Sequence, residues 1–157
     1  MNLDWEAKLA GQGCPFDGPA PVNSDTLFFI RSLQVSSLYL DRDQNYRGHC
    51  LLIFDPRHIS RIDQLTGEEW DAMTRDLYVA ESAIFRALRP DHINVESLGN
   101  VVPHLHWHIT PRYITDDRWG SAIWTSRPEE MARKILTDVE YRQLAEGIDR
   151  EVGILLR

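Results

Sequence analysis

Three histidines alternate along one short segment of the chain, at His104, His106 and His108. Successive side chains of a β-strand point to opposite faces, so a strand here would carry three imidazoles on one face. The residues between them are apolar and are predicted to face the core: Leu105, Trp107 and Ile109. Burial of an apolar face explains stability, but it gives no reason for three titratable rings on the other face.

Three interpretations of the histidine face compete. A merely solvated face is disfavoured, because Lys, Thr or Glu would serve there as well. Two histidines at i and i+2 can bind zinc, but a metal site needs further ligands. No candidate for a further ligand lies at a spacing that is diagnostic of a metal site. The candidates are His49, His58, Asp55 and Cys14. We favour nucleophilic chemistry, in which one ring attacks while its neighbours fix its tautomer and bind the developing charge.

Composition restricts the class of protein. A chain of 157 residues with 43% hydrophobic and 26% charged residues fits one globular domain rather than a disordered chain. The net charge of −7 argues against a non-specific nucleic-acid binder. The two cysteines do not indicate a disulfide framework. The sequence shows no leader pattern and no apolar stretch of roughly 18 residues, so we expect a cytoplasmic protein without a membrane partner.

The elements around the histidines predict an α+β fold. Residues 1–25 are rich in Gly and Pro and are interpreted as an N-terminal arm with at most a short helix. Segments rich in residues that favour β-strands predict two strands within 26–40 and further strands over 48–54, 92–98 and 101–113. The order of elements indicates a mainly antiparallel, five-stranded sheet rather than a doubly wound one.

Helix signals complete this picture. Thr66 and Glu69 match a capping box before apolar residues at steps of three and four, which predicts one long helix ending at Pro90. Similar caps at 126–129 and 137–140 indicate a helical C-terminal tail. We therefore expect a core domain over residues 26–113, with the long helix packed on the sheet, and a helical extension over 114–157 packed on that core.

The segment from His104 to Thr110 resembles the signature of the histidine-triad (HIT) family, in which histidines alternate with apolar residues. Thr110 departs from the pattern, because the family has an apolar residue at that position. Residues 94–103 look like the asparagine strand and glycine turn of the family, and Gly48-His49 resembles its Gly-His element. The resemblance covers roughly residues 26–113. The Trp-containing stretch over 116–124 resembles the loop that follows the triad strand in a bacterial branch of the family.

The resemblance implies an activity and a division of roles. The expected protein is a nucleotide-phosphate hydrolase or nucleotidyl transferase, acting on small nucleotides such as dinucleoside polyphosphates or adenylated amines. His106 would attack phosphorus and form a covalent nucleotidyl-histidine intermediate. His108 would stabilise the charge on the phosphate oxygens, His104 would hold the geometry, and His49 would support the site from the adjoining strand. The family is usually homodimeric.

Four residues are candidates for substrate binding by the same resemblance. Asn94 and Asn100 can donate amide N–H groups to phosphate oxygens, and Gly99 allows the backbone to approach closely. Asp41 stands eight residues before His49, as a ribose-contacting acid does in similar members. We expect a small-molecule nucleotide as the partner and no nucleic acid.

The N-terminal arm departs from the family pattern. Many relatives carry Cys-x-x-Cys, which helps to hold a structural zinc, whereas this chain has Cys14 followed by Asp17. His58 stands nine residues after His49 rather than eight, and it is left out of the site. We therefore expect no structural metal and no cofactor. Two alternatives remain open: a nucleotide-binding regulatory protein with little turnover, and a metal-binding protein that uses the histidine cluster.

Overall fold

A computed structural model describes residues 3–21, 24–116, 118–125 and 133–157. Five strands form one sheet in the order β1-β2-β3-β5-β4, and every neighbouring pair is antiparallel. The strands are β1 (Leu27–Ser32), β2 (Ser36–Asp41), β3 (Cys50–Phe54), β4 (His92–Glu96) and β5 (His106–Arg112). The helices are α1 (Leu3–Leu9), α2 (Gly67–Leu88) and α3 (Asp138–Leu155). The predicted α+β fold is confirmed.

Both long helices pack on the same face of the sheet and on each other. Alternate strand residues form the core beneath them, including Leu38, Leu40, Leu52 and Ile109. Trp107 and Ile109 belong to this core, as their alternation with histidine predicts. The helices thus bury one face of β5, and the rings of His106 and His108 belong to the other face.

The capping signals in the sequence mark where the long helices begin. Thr66 Oγ1 accepts a hydrogen bond from the Glu69 N–H, and the Glu69 carboxylate accepts one from the Thr66 N–H, which satisfies two exposed donors of α2. Thr137 and Glu140 repeat this arrangement at the start of α3. The predicted cap at 126–129 lies outside the described residues. No helix of the described segments is long and apolar enough to cross a bilayer.

A buried carboxylate joins α2 to the sheet. Asp76 is 3% exposed and accepts hydrogen bonds from the backbone N–H groups of Gln34 and Val35 and from the hydroxyl of Ser36. These donors belong to the connection between β1 and β2 and to the first residue of β2. Three hydrogen bonds therefore offset the cost of burying the carboxylate and fix the hairpin against the helix.

The histidine strand is shorter than predicted. β5 begins at His106, so His104 lies in the preceding bend, although Leu105 still packs in the core with Trp107 and Ile109. Pro103 has no N–H to donate, and the Leu105 N–H donates to the carbonyl oxygen of Ile59 at 2.6 Å. The predicted strand over 101–113 is therefore too long at its start, and Phe16 contacts the rings of both His104 and His106.

Candidate active site

His106 and His108 bring their Nε2 atoms to 3.2 Å from each other on the face opposite the helices. His106 Nδ1 lies 2.6 Å from the carbonyl oxygen of His104, which can only accept, so this nitrogen carries the proton. The Nε2 of a neutral His106 then has a free lone pair. For the 3.2 Å contact to be a hydrogen bond, His108 must donate its Nε2–H to that lone pair.

His49 extends this row of rings from the residue directly before β3. Its Nε2 lies 3.1 Å from His108 Nδ1. Because His108 carries its proton on Nε2, its Nδ1 accepts, and His49 donates from Nε2. One set of tautomers therefore satisfies both contacts between the three neutral rings.

The glycine before His49 is required by packing. Gly48 has a φ of +87°, which favours glycine, and a Cβ there would overlap Leu88 Cδ1 at the end of α2 and lie 3.1 Å from Pro111 Cγ. The Gly-His pair of the sequence thus allows α2 to pack closely beneath the turn that carries His49.

Burial keeps the three rings neutral. It lowers the pKa of His106, an effect that the hydrogen bond to the His104 carbonyl partly offsets. Burial lowers the pKa of His49 to about 4. Burial, with repulsion from His49 and His106, lowers the pKa of His108 to about 3. At neutral pH the site therefore offers an unprotonated nitrogen as a nucleophile.

Asp41 ends β2 beside the outer nitrogen of His49. Its Oδ2 lies 3.7 Å from His49 Nδ1, beyond hydrogen-bond distance. Burial raises the pKa of Asp41 to about 6, which is above the value for His49. At neutral pH the ionised Asp41 carboxylate therefore faces an uncharged His49 ring.

A cavity of about 310 Å³ opens over the histidine pair. Gly99 and Asn100 lie in its wall, and Gly99 has the positive φ of +68° that a tight turn there requires. The structure therefore brings these two predicted residues to His106 and His108. The complete lining is Phe16, Leu51, Leu98, Gly99, Asn100, Val101, Val102, His106, His108 and Trp124.

Two other predicted substrate-binding residues lie elsewhere. Asn94 lines a neighbouring groove beside β4, and its Oδ1 accepts a hydrogen bond from the Arg112 guanidinium at 2.8 Å. Asp41 lies behind His49 rather than in the cavity wall. Contact of Asn94 with phosphate and of Asp41 with ribose both stay predictions.

Two aromatic residues of the cavity escaped the sequence analysis. The Phe16 ring meets the His106 ring edge-on with centroids 5.2 Å apart, and the Trp124 ring meets the His108 ring edge-on at 4.8 Å. Phe16 belongs to the Gly/Pro-rich arm, where no periodicity signals a contact. Trp124 belongs to the Trp-containing stretch that the resemblance singled out without giving it a role.

A second cluster surrounds His104, in the bend before β5. Cys14, Asp17, His58 and His104 each offer one ligand atom, and these four atoms lie within 4.8 Å of one another. Donors of a tetrahedral zinc site, at about 2.0–2.3 Å from the metal, lie roughly 3.3–3.8 Å apart. The arm that was expected to lack a metal site therefore brings a thiol and a carboxylate to two imidazoles.

The protonation of His104 tests whether this cluster fits a cation. His104 Nε2 lies 2.6 Å from the carbonyl oxygen of Phe54, so it carries the proton. Its Nδ1 faces the Asp17 carboxylate at 3.1 Å and the Cys14 sulfur at 3.5 Å. A lone pair and a carboxylate this close repel unless a proton or a metal ion lies between them. A backbone partner on the far nitrogen is also typical of metal-binding histidine.

His58 belongs to this cluster although its spacing argued against it. Its Nδ1 lies 3.1 Å from an Asp17 oxygen, and its ring packs edge-on against the His104 ring at 5.2 Å. The sequence analysis leaves His58 out of the site, whereas the structure places its ring against that of His104. His58 lies between β3 and Ile59, where the chain runs without strand pairing.

Comparisons with known proteins identify the family. Residues 24–115, more than half of the chain, match the family model described as HIT domain. The chain belongs to the HIT family. It is 29% identical over 110 residues to Protein hit of Bacillus subtilis, covering 64% of this chain and 72% of that protein.

Solved HIT structures share the fold. A histidine triad protein from Bradyrhizobium japonicum has a TM-score of 0.76 at 22% identity, covering 88% of this chain and 99% of that one. A zinc-bound histidine triad family protein from Mycobacterium smegmatis has a TM-score of 0.56 at 18% identity, covering 99% and 96%. HIT proteins bind small nucleotide ligands, and they are generally nucleotide hydrolases or transferases, although some are not catalytic.

Proposed function

We propose that this HIT protein is a nucleotide-phosphate hydrolase or nucleotidyl transferase that works through a covalent nucleotidyl-His106 intermediate. The observation that carries the proposal is the 2.6 Å hydrogen bond from His106 Nδ1–H to the His104 carbonyl. This bond commits the proton of His106 to the nitrogen away from the cavity. The lone pair of Nε2 is therefore the one that would attack a phosphorus atom in the cavity, once a bound phosphoryl group takes over the hydrogen bond from His108 Nε2–H.

The reaction would proceed in two displacements. In the first, a bond forms between His106 Nε2 and phosphorus while the bond to the leaving group breaks, and the departing oxygen or nitrogen keeps the electron pair. In the second, water or another acceptor attacks the same phosphorus and releases its proton to solvent, and the electron pair of the P–N bond returns to His106. Two moderate barriers replace one high barrier.

Neighbouring donors would stabilise the negative charge of each transition state. His108 Nε2–H points toward His106 Nε2 from 3.2 Å, so a phosphoryl group bound there lies within its reach. His49 keeps that proton on the correct nitrogen of His108 by donating to Nδ1. The turn at Gly99 and Asn100 lines the same cavity and offers amide donors to the phosphate oxygens.

Trapping the intermediate tests the proposal. Wild-type protein mixed with a panel of dinucleoside polyphosphates and nucleoside phosphoramidates, then quenched in denaturant, is expected to gain the mass of one nucleotide on the peptide that contains His106. His106→Asn is expected to bind nucleotide without turnover and without the added mass. Nucleotide binding with no turnover of the panel by the wild type would instead favour the regulatory alternative.

We also propose that Cys14, Asp17, His58 and His104 hold a zinc ion. Support comes from the cation-fitting contacts of His104 and from the Mycobacterium smegmatis relative, which is described as zinc-bound. Four protein donors fill a tetrahedral shell, so the ion would act as a cross-link between the arm and the bend before β5. It would thereby fix the His104 carbonyl that orients His106.

A homodimer stays a prediction from the family resemblance. Light scattering coupled to size-exclusion chromatography measures the mass of the assembly directly. A mass of two chains is expected, and the mass of a single 18.2 kDa chain would contradict it.

A further inference from the structure

Trp124 lies in the segment after β5, outside residues 24–115 that match the family model. It is 45% exposed, yet its ring makes edge contacts with two histidines of the site. The centroid of the indole is 4.8 Å from that of His108 and 6.1 Å from that of His49. The residue thus covers the outer end of the histidine row.

The indole is held in place by a hydrogen bond to the sheet. Trp124 Nε1–H donates to Glu96 Oε2 at 2.7 Å, and Glu96 is the β4 residue paired with His108 in the strand register. The hydrogen bond therefore ties the indole to the strand directly beside the reacting pair. A ring fixed before substrate arrives loses little freedom on binding.

A buried arginine fixes the segment that carries Trp124. Arg112 is 2% exposed and donates to the carbonyl oxygens of Ser121 at 2.9 Å and Arg118 at 2.6 Å. Its guanidinium also binds the Asp116 carboxylate at 3.0 Å. The loop is thus anchored at several points to the last residue of β5, which favours a permanent wall over a mobile flap.

The rings line up in the order Phe16, His106, His108, Trp124. Phe16 contacts the rings of His104 and His106, whereas Trp124 contacts those of His108 and His49. In phosphoryl displacement the attacking atom and the leaving group are roughly in line through phosphorus. When His106 attacks, the leaving group departs on the side away from His106, and Trp124 lies beyond His108 from that ring.

We propose that Trp124 is a specificity-determining residue whose indole packs against the leaving group, so that substrates with a planar aromatic leaving group are favoured over compact ones. This inference rests on the proposed function. The apolar lining of the cavity agrees with it, because Leu98 and Val101 also present apolar side chains there. Glu96 is assigned as a positioning residue that acts through the indole.

A matched pair of substrates tests the inference. Nucleoside 5′-phosphoramidate and its N-benzyl derivative, each as the adenosine and guanosine compounds, share the nucleotide and differ only in the leaving amine. The quantity measured is the ratio of kcat/KM for the benzyl compound to that for the unsubstituted one. Aromatic contacts predict that Trp124→Ala lowers this ratio about three- to tenfold.

Three variants make the test specific. Trp124→Phe keeps an aromatic ring and is expected to keep most of the ratio. Glu96→Ala removes the acceptor of the indole N–H and is expected to lower the ratio in the same direction. Trp119→Ala is the matched control, because Trp119 belongs to the same loop but lines the groove beside β4 instead of the cavity. Urea unfolding checks that each variant is folded.

The outcomes separate this inference from the proposed function. An unchanged ratio in Trp124→Ala, or an equal loss of kcat/KM for both compounds, overturns the role in leaving-group selection. Either result leaves the proposed function intact. If the wild type cleaves neither compound, calorimetric dissociation constants replace kcat/KM, and the trapping experiment with the full panel decides the proposed function separately. A loss of affinity by Trp124→Ala for the benzyl compound alone then supports the contact, and equal losses overturn it.

Discussion

The Nε2 of His49 lies 3.1 Å from the Nδ1 of His108, and this contact connects β3 to the reacting end of β5. His49 does not reach the cavity itself. Its effect is to hold the proton of His108 on Nε2, the nitrogen nearest to His106. The geometry of the histidine row therefore depends on the residue before β3 as well as on the histidine segment itself.

Loss of the His49 donor is expected to slow turnover without preventing nucleotide binding. His49→Phe removes one buried hydrogen bond to His108, which corresponds to roughly a tenfold lower kcat. His49→Gln can place an amide N–H near the same position and is expected to recover part of the loss. Steady-state kinetics with the substrate identified by the panel measure both. Equal kcat values for the wild type and His49→Phe would contradict the role.

The stability of the fold is expected to fall on acidification from pH 7 to pH 4. An unfolded histidine binds a proton near pH 6.5, whereas His49 and His108 in the folded chain stay neutral down to about 4 and about 3. The unfolded state therefore binds more protons in this window, and stability decreases as pH falls. Asp41 opposes the trend, because its folded pKa of about 6 lies above its unfolded value.

Variants resolve these opposing contributions. Asp41→Asn removes the opposing group and is expected to make the decrease steeper, whereas His49→Gln is expected to make it shallower. The difference from wild type is expected to be on the order of 1–3 kcal/mol across the window. Urea unfolding at pH 7, 5.5 and 4 gives the three slopes. Parallel slopes for all three proteins would show that these side chains do not control acid stability.

Removal of the buried carboxylate of Asp76 is expected to destabilise the protein by about 3 kcal/mol, because three donors of the β1–β2 connection lose their acceptor. Asp76→Ala measures the full loss, and Asp76→Asn retains one acceptor oxygen and is expected to cost less. Asp71→Ala, at an exposed position of the same helix, is the control and is expected to stay within about 0.5 kcal/mol of wild type.

The metal content gives a direct measurement of the second cluster. Protein purified without chelator is expected to contain about one zinc ion per chain by elemental analysis. Asp17→Cys supplies the missing thiolate and is expected to raise zinc affinity in chelator competition, and Cys14→Ala is expected to lower it. Cys50→Ala is the control, because this thiol is buried in the core away from the cluster. A zinc content no higher than that of the buffer, even after zinc has been added to the protein, would contradict the site.

Local sequence signals predicted the parts of the fold that depend on neighbouring residues. The capping box at Thr66 and Glu69 and the alternation of His106 with Trp107 act over a few positions, so they can be recognised without knowledge of the fold. The bend at His104 could not be predicted in this way. It depends on backbone partners at Phe54 and Ile59, about 50 residues earlier in the chain.

The same distinction between local signals and long-range contacts applies to the candidate site. His49 and the turn at Gly99 were found because their types and spacing match a pattern. Phe16 and Asp17 were missed as site residues because they lie in an arm full of chain breakers, where only tertiary contacts decide which side chains meet His104 and His106. The contact of His58 with the cluster could not be predicted for a related reason, because His58 lies in a segment without strand pairing, where spacing along the chain does not fix position.

Phe16 and Trp124 reach the cavity from segments before and after the residues that match the family model. These two aromatic parts of the wall are therefore encoded separately from the histidines that would react with a substrate, whereas Leu51 and residues 98–102 of the lining lie within the matched residues. Chimaeras that exchange only these terminal segments between relatives would alter selectivity while keeping the chemical machinery intact. Such an arrangement offers evolution, and protein engineering, a way to diversify substrates without rebuilding the reaction centre.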